Sequence, residues 1–257
     1  MAVRVVVDSS ASLPPEVAER HGITVVDMHL TGAGTAGLGA LELCASYARQ
    51  LERGGDHGVV ALHVPKELSS TWSAAVEAAA IFHDAVRVVD TGAVGMALGS
   101  AAVAAARTAR AGGDLAACYE AAVGVLDSSA TFLYVHRLDE LRRSGRVSAG
   151  TVMISTALAS KPIMRLREGR VELAVKTRTQ SKAFERLAQL ASEASAGEPV
   201  SVYLQEHEAR EASRKLAALL EEALPQGSRV RTYPLSEALA VHAGPGSIVV
   251  SVVCGAL

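Results

Sequence analysis

Residues 3–7 form a near-continuous apolar run, and similar runs return at 23–28, 59–64 and 86–89. Helical patterns fall between them, at 15–20, 41–53 and 69–83. A strand that is apolar at successive positions must be buried on both faces, which an open antiparallel sheet does not require. Strands of this kind alternating with helices predict a parallel sheet with helices on both sides. Pro14 and Pro15 suit the first turn of the helix at 15–20, and Gly22 ends it. Gly54 and Gly55 stop the helix at 41–53 in the same way.

The pattern changes after Asp90-Thr91-Gly92, where we place a domain boundary. Two Ala-rich helices are expected at 94–111 and 114–127, then a strand at 131–135. A helix is expected at 148–160. Strands at 163–166 and 171–176 flank Glu168-Gly169-Arg170, a hairpin signal. Further helices at 181–194 and 209–224 interleave with strands at 200–204, 229–233 and 248–253. The expected fold class is α/β with two domains. Residues 1–91 form a four-stranded parallel domain, and residues 92–257 form a mixed-sheet α/β domain.

Composition narrows the function. A hydrophobic share of 49% supports a large core, and a net charge of −2 gives no field that attracts nucleic acid. The three cysteines are scattered without a CxxC pair, and no HxxxH or HExxH occurs, so no metal site and no disulfide framework are expected. The start of the chain runs directly into a strand, and no apolar run is long enough to span a bilayer. The expectation is a cytoplasmic protein with no stable membrane insertion.

Several segments carry polar groups in places where a ligand could use them. Arg142, Arg143 and Arg146 lie within five residues at the end of a short helix, with an apolar segment directly after. A planar cation beside an apolar wall suits a carboxylate or phosphate with a greasy tail, although a solvated helix end explains the same charges. The apolar residues 151–159 are the candidate wall. Gly32, Gly34 and Gly37 satisfy GxGxxG between a strand and a helix, which admits a dinucleotide loop or merely a sharply turning one. That motif follows the second strand, and no acid ends the next one to hold a ribose. Asp8 and Ser9 end the first strand, where Asp8 serves as a phosphoryl-accepting nucleophile, as a metal ligand, or as a cap for the following turn. Leu68-Ser69-Ser70-Thr71-Trp72 starts a helix, so its hydroxyls serve an anion or an ordinary cap. His242 stands beside the shaped turn Gly244-Pro245-Gly246. No GxSxG or GxxxxGK[ST] motif occurs.

Taken in order, these segments resemble the DegV family of bacterial fatty-acid-binding proteins. The resemblance rests on Val7 through Pro14, Leu68 through Trp72, Val89-Asp90-Thr91 and Leu138 through Ser148. It continues through Lys161-Pro162-Ile163, Glu168-Gly169, Lys176 through Thr179 and His242 through Gly246. It implies two α/β domains with a long-chain fatty acid buried between them. It also implies a non-catalytic carrier that binds the fatty acid as ligand, needs no cofactor, and presents the carboxylate to a separate fatty acid kinase for phospholipid synthesis. By the resemblance Thr35, Ser69, Arg146 and His242 meet the carboxylate, Ser9, Gly244 and Gly246 shape the supporting loops, and Arg178 docks the kinase.

The family's usual Thr-Ser-Gln-Pro-Ser loop reads Thr35-Ala36-Gly37-Leu38-Gly39 here, and its Gly-Gly-Arg turn reads Ser144-Gly145-Arg146. The Ser-Gly of the helix start is Ser69-Ser70, and the hairpin that normally precedes Thr35 is largely missing from the few residues after His29. The shortened side implies a shorter acyl chain, faster exchange or lost binding. Two other classes remain open: a nucleotide- or phosphate-binding enzyme using Gly32, Gly34, Gly37 and Asp8, and a protein-interaction module without a ligand.

Overall fold

The computed structural model describes residues 2–32, 34–147 and 161–255. The helix expected at 148–160, and with it the apolar wall at 151–159, lie outside the described residues. The chain divides into two units between Asp127 and Ser128.

The first unit is built on a parallel sheet of four strands, β1 (Arg4–Asp8), β2 (Ile23–Val26), β5 (Val59–Leu62) and β6 (Val86–Val89), in the order β2-β1-β5-β6. The central strands are the continuous apolar runs, as burial on both faces requires. Val6 packs into one cluster with Leu43, Tyr47 and Leu51 of α2 (Ala40–Gly54) and Ala75, Ala78 and Ala79 of α3 (Thr71–Ala80). Its neighbours Val5 and Val7 point to the other face and are just as deeply buried. Each such side chain is worth about 1.5–3 kcal/mol when fully removed from water. Helix α1 (Pro15–His21) ends at Gly22, which adopts the left-handed conformation at φ +65°.

The first unit also holds α4 (Met96–Arg110) and α5 (Leu115–Asp127). The boundary expected after Thr91 is therefore not where the units divide. Helix α4 packs on β1, α5 packs on β5 and β6, and the two helices pack on each other, so both belong to the parallel sheet. Eleven of the fifteen residues of α4 are buried, and an Ala-rich helix of this kind covers a sheet closely.

A second feature of this unit departs from expectation. Residues His29–Thr31 (β3) and Gly34–Ala36 (β4) form a small antiparallel hairpin with Leu30 opposite Thr35. The usual family hairpin is expected to be largely missing here, and what remains is this short one of three residue pairs, which turns at once through Gly32. His29 Nε2 and Glu42 Oε2 stand 2.9 Å apart and tether the hairpin to α2.

The second unit carries a mixed sheet in the order β11-β10-β12-β7-β8-β9. Its strands are β7 (Ser129–Tyr134), β8 (Lys161–Arg167), β9 (Arg170–Thr177), β10 (Val200–His207), β11 (Arg229–Pro234) and β12 (Ser247–Cys254). Among the described strands of this sheet, only β10 and β11 pair in parallel. Their connection contains a helix, as a parallel pair demands. Strands β8 and β9 are joined through Glu168 and Gly169, both at positive φ, as a tight hairpin turn needs. The core gathers Phe184 and Leu187 of α7 (Gln180–Ala194), Leu216 and Leu220 of α8 (Arg210–Ala223), and Tyr134, Val202 and Val250 of the sheet. The described residues of the unit also hold two shorter helices, α6 (Leu138–Arg143) and α9 (Glu237–Ala243). Helix α9 is absent from the sequence reading, which saw only the turn that follows it.

No helix among the described residues is long and apolar enough to cross a membrane.

Candidate functional site

The two units each present a polar cluster. In the second unit it begins where α6 ends. Ser144 Oγ donates to Leu141 O at 2.6 Å and accepts from Arg146 N at 3.3 Å. Gly145 takes φ +69° between them, and Val147 bridges to Val171 at the start of β9. Arg146 is thus fixed from both sides along the backbone. Its Nη1 donates to Ser144 O at 3.2 Å and lies 3.3 Å from His242 Nδ1.

His242 sits in the last turn of α9. Gly244 ends that helix at φ +77°, and its N–H donates to Ala240 O at 2.8 Å. Gly246 N–H donates to His207 O at 2.8 Å and ties the turn to the end of β10. Gly246 is irreplaceable by geometry: its φ is +79°, and an added Cβ would stand 2.8 Å from His136 Cβ.

The electrostatics of this pair are asymmetric. Burial lowers the basicity of Arg146, which nevertheless stays a cation because guanidinium does not lose its proton in proteins. Burial first, then the Arg146 charge, push the His242 pKa down to about 4. The imidazole is therefore neutral near pH 7. Its Nδ1 accepts from the guanidinium, so the ring proton resides on Nε2, which is a donor. A cation and a neutral N–H side by side suit an anionic oxygen pair.

A pH effect follows with a definite sign. An unfolded His242 takes up a proton near pH 6.5, whereas the folded one resists until about 4. The unfolded state binds more protons in that window, so this group lowers stability as the pH falls through it. In an NMR titration the His242 midpoint should lie near 4, and Arg146→Ala should move it upward. A midpoint near 6.5 in the native protein would contradict the pairing.

In the first unit the cluster forms at the start of α3. Ser69 Oγ accepts from Thr71 N at 3.2 Å and lies 3.0 Å from Thr71 Oγ1. Thr71 Oγ1 in turn accepts from Leu38 N at 3.1 Å. Thr71 is fully buried and Ser69 half-buried. Gly37 lies directly against these hydroxyls, since an added Cβ would meet Ser70 Oγ at 2.8 Å and Ser69 Oγ at 3.1 Å. Thr35 is half-buried in β4, two residues before that contact. Ser9 Oγ accepts from Met28 N at 3.0 Å and ties the loop after β1 to the end of β2.

The expected site residues thus fall into two groups. The structure brings Arg146 and His242 together, and it seats Ser69 in a hydroxyl cluster. Arg178 is exposed in the bend between β9 and α7. The sequence reading missed Thr71 as the hub of its cluster. The signal was the run Ser69-Ser70-Thr71, in which the third hydroxyl points inward because it begins the helix.

The elements of the nucleotide reading are used otherwise. Gly32 and Gly34 belong to the β3–β4 hairpin, not to a strand-to-helix loop. Asp8 is fully buried. Its Oδ1 accepts from Ser10 N at 2.8 Å, and its Oδ2 accepts from Val64 N at 2.7 Å and lies 3.2 Å from His63 Nδ1. Tyr47 Oη stands 2.7 Å from His63 Nε2. Burial alone would raise the Asp8 pKa, yet the bonds from His63, Ser10 and Val64 outweigh it and hold it below the usual value. Burial, reinforced by the Asp8 charge, pushes the Tyr47 phenol well above its ordinary pKa. Asp8 is therefore a cap and a buried strut, with no surface open to a nucleotide.

Comparison with known proteins agrees with this organisation. The sequence profile of the DegV family, described as uncharacterised proteins, matches residues 33–254. A DegV domain-containing protein of Corynebacterium glutamicum is 57% identical over 258 residues, covering 98% of this chain and 94% of the relative. The crystal structure of a DegV family protein from the same organism superposes with a TM-score of 0.96 at 56% identity, covering 100% of this chain and 99% of the other. A Thermus thermophilus DegV family protein, described by its fatty acid binding, superposes with a TM-score of 0.88 at 25% identity and covers 99% and 100% of the two chains. The chain belongs to the DegV family.

Proposed function

We propose that this protein is a fatty-acid-binding carrier that holds an acyl carboxylate and does no chemistry itself. The observation that carries the reading is the pairing of Arg146 with a neutral His242 across 3.3 Å, a cation and a donor with suppressed titration. Its kinship with the Thermus protein supports the ligand class. Thr35 and Ser69 are the candidate hydroxyl donors of the first unit. A carboxylate taken out of water costs several kcal/mol unless such groups converge on it.

The acyl chain supplies the affinity. At about 0.8 kcal/mol per buried CH₂, a tail of roughly 14 methylenes gives about 11 kcal/mol before ordering costs. To test the assignment, delipidated protein is heated with myristate and with methyl myristate. A rise in melting temperature with the acid, and a smaller one with the ester, is expected. No rise with either rejects the reading.

The carrier acts in the cytoplasm and presents the carboxylate to a separate fatty acid kinase, whose acyl phosphate product feeds phospholipid synthesis. Arg178 is the docking residue, a role that its exposed position in the β9–α7 bend favours. Arg178→Ala should keep fatty-acid affinity and slow acyl phosphate formation beside a cognate kinase and ATP. Unchanged turnover rejects the docking role.

A further inference from the structure

The six-stranded sheet of the second unit has two unlike faces. Phe132, Tyr134, Val250 and Val252 belong to the core formed with α7 and α8. Side chains alternate along a strand, so Thr131, Leu133, Val249, Ser251 and Val253 point the other way. On that second face Val249 and Leu133 pack with Ala240 and Ala243 of α9, the helix that carries His242. Leu133 also packs with Leu141 of α6, the helix that leads to Arg146. The Arg146–His242 pair thus stands over one end of this face. Beyond α9 the face continues to Ser251, two residues and about 7 Å along β12 from Val249, and then to Val253.

Ser251 is fully buried, and its Oγ has no hydrogen-bond partner among the described residues. Thr131 stands directly opposite it on β7, is itself buried, and does not bond to it. Along β12 this face reads Val249, Ser251, Val253, so the hydroxyl interrupts an apolar strip. A buried hydroxyl without a partner is costly, and a strip that had only to pack would hold a third valine there. We propose that Ser251 and Thr131 form a subsite for a hydroxyl on the acyl tail, and that the ligand is a long-chain fatty acid with a mid-chain hydroxyl. This rests on the fatty-acid reading and names the ligand within it. A ligand hydroxyl both donates and accepts, so it accepts from Ser251 Oγ and donates to Thr131 Oγ1. A methylene in the same place leaves Ser251 without a partner. A site built to bond a ligand hydroxyl discriminates against the analogue that lacks it for this reason.

The test is titration calorimetry on the full chain with stearate and with hydroxystearates that carry the hydroxyl at successive middle carbons. At least one hydroxystearate should bind the native protein about fivefold or more tighter than stearate, the worth of one neutral hydrogen bond. Ser251→Ala and Thr131→Val each remove one hydroxyl and should bring that ratio to within about twofold of one. Thr131→Ser, which keeps a hydroxyl, should preserve the preference. Stearate that binds as well as every hydroxystearate, or a preference that survives Ser251→Ala, overturns the proposal. If Ser251→Ala does not fold, Thr131→Val carries the test with the same outcomes. A native protein that binds none of these acids sinks the fatty-acid reading and this inference together. Binding of stearate with no hydroxyl preference sinks only the subsite.

Discussion

Arg146→Ala is expected to weaken fatty-acid binding by about 2–5 kcal/mol, roughly thirtyfold to several thousandfold. The size follows from the environment. The guanidinium is half-buried, held by Ser144 and Val147 along its backbone, and lies 3.3 Å from a His242 that does not carry charge near neutral pH. With the arginine gone, the carboxylate keeps its burial and loses its only full counter-charge in this pair. Most of the loss is the cost of leaving that charge unmatched. Arg142, exposed in the last turn of α6, is the control, and its alanine variant should stay within about 0.5 kcal/mol of the native protein. Titration calorimetry measures both. A loss of a few tenths for Arg146→Ala would mean that the head group does not meet this residue.

The second large effect concerns stability. Asp8→Ala should destabilise the fold by about 3–5 kcal/mol, read from urea denaturation. Removing the carboxylate strands three donors at once: the amides of Ser10 and Val64, and His63 with its Tyr47 neighbour. Ser10 follows the end of β1, His63 and Val64 follow the end of β5, and Tyr47 stands on α2, all inside the first unit. The pH dependence has a defined sign. The folded pKa of Asp8 lies below its unfolded value, so its contribution is present above the ordinary carboxylate range. It is lost as the pH falls through the folded value. A destabilisation below about 1 kcal/mol would show that water replaces the lost bonds.

The legibility of this chain differed between its parts for physical reasons. The parallel sheet was readable because burial on both faces makes β1 and β5 apolar at nearly every position. The β8–β9 hairpin was readable because Glu168-Gly169 is a turn that few other conformations accept. The β3–β4 hairpin was not, because its six paired residues are mostly exposed and carry no alternation to mark them. The domain boundary was misplaced because α4 and α5 are Ala-rich helices whose sequence does not say which sheet they cover. At the site, Arg146 and His242 were each visible as a polar residue beside a shaped turn. Their pairing joins positions 96 residues apart, which spacing cannot reveal. Asp8 looked like a nucleophile, a metal ligand or a cap, and only its three bonds decide for the cap.

The most direct test of the carrier assignment is native mass spectrometry of the protein purified from bacteria without delipidation. The account predicts a complex heavier than the bare chain by the mass of one fatty acid, released as a free acid on activation. A bare chain alone, together with no gain in melting temperature on adding fatty acids, would contradict it.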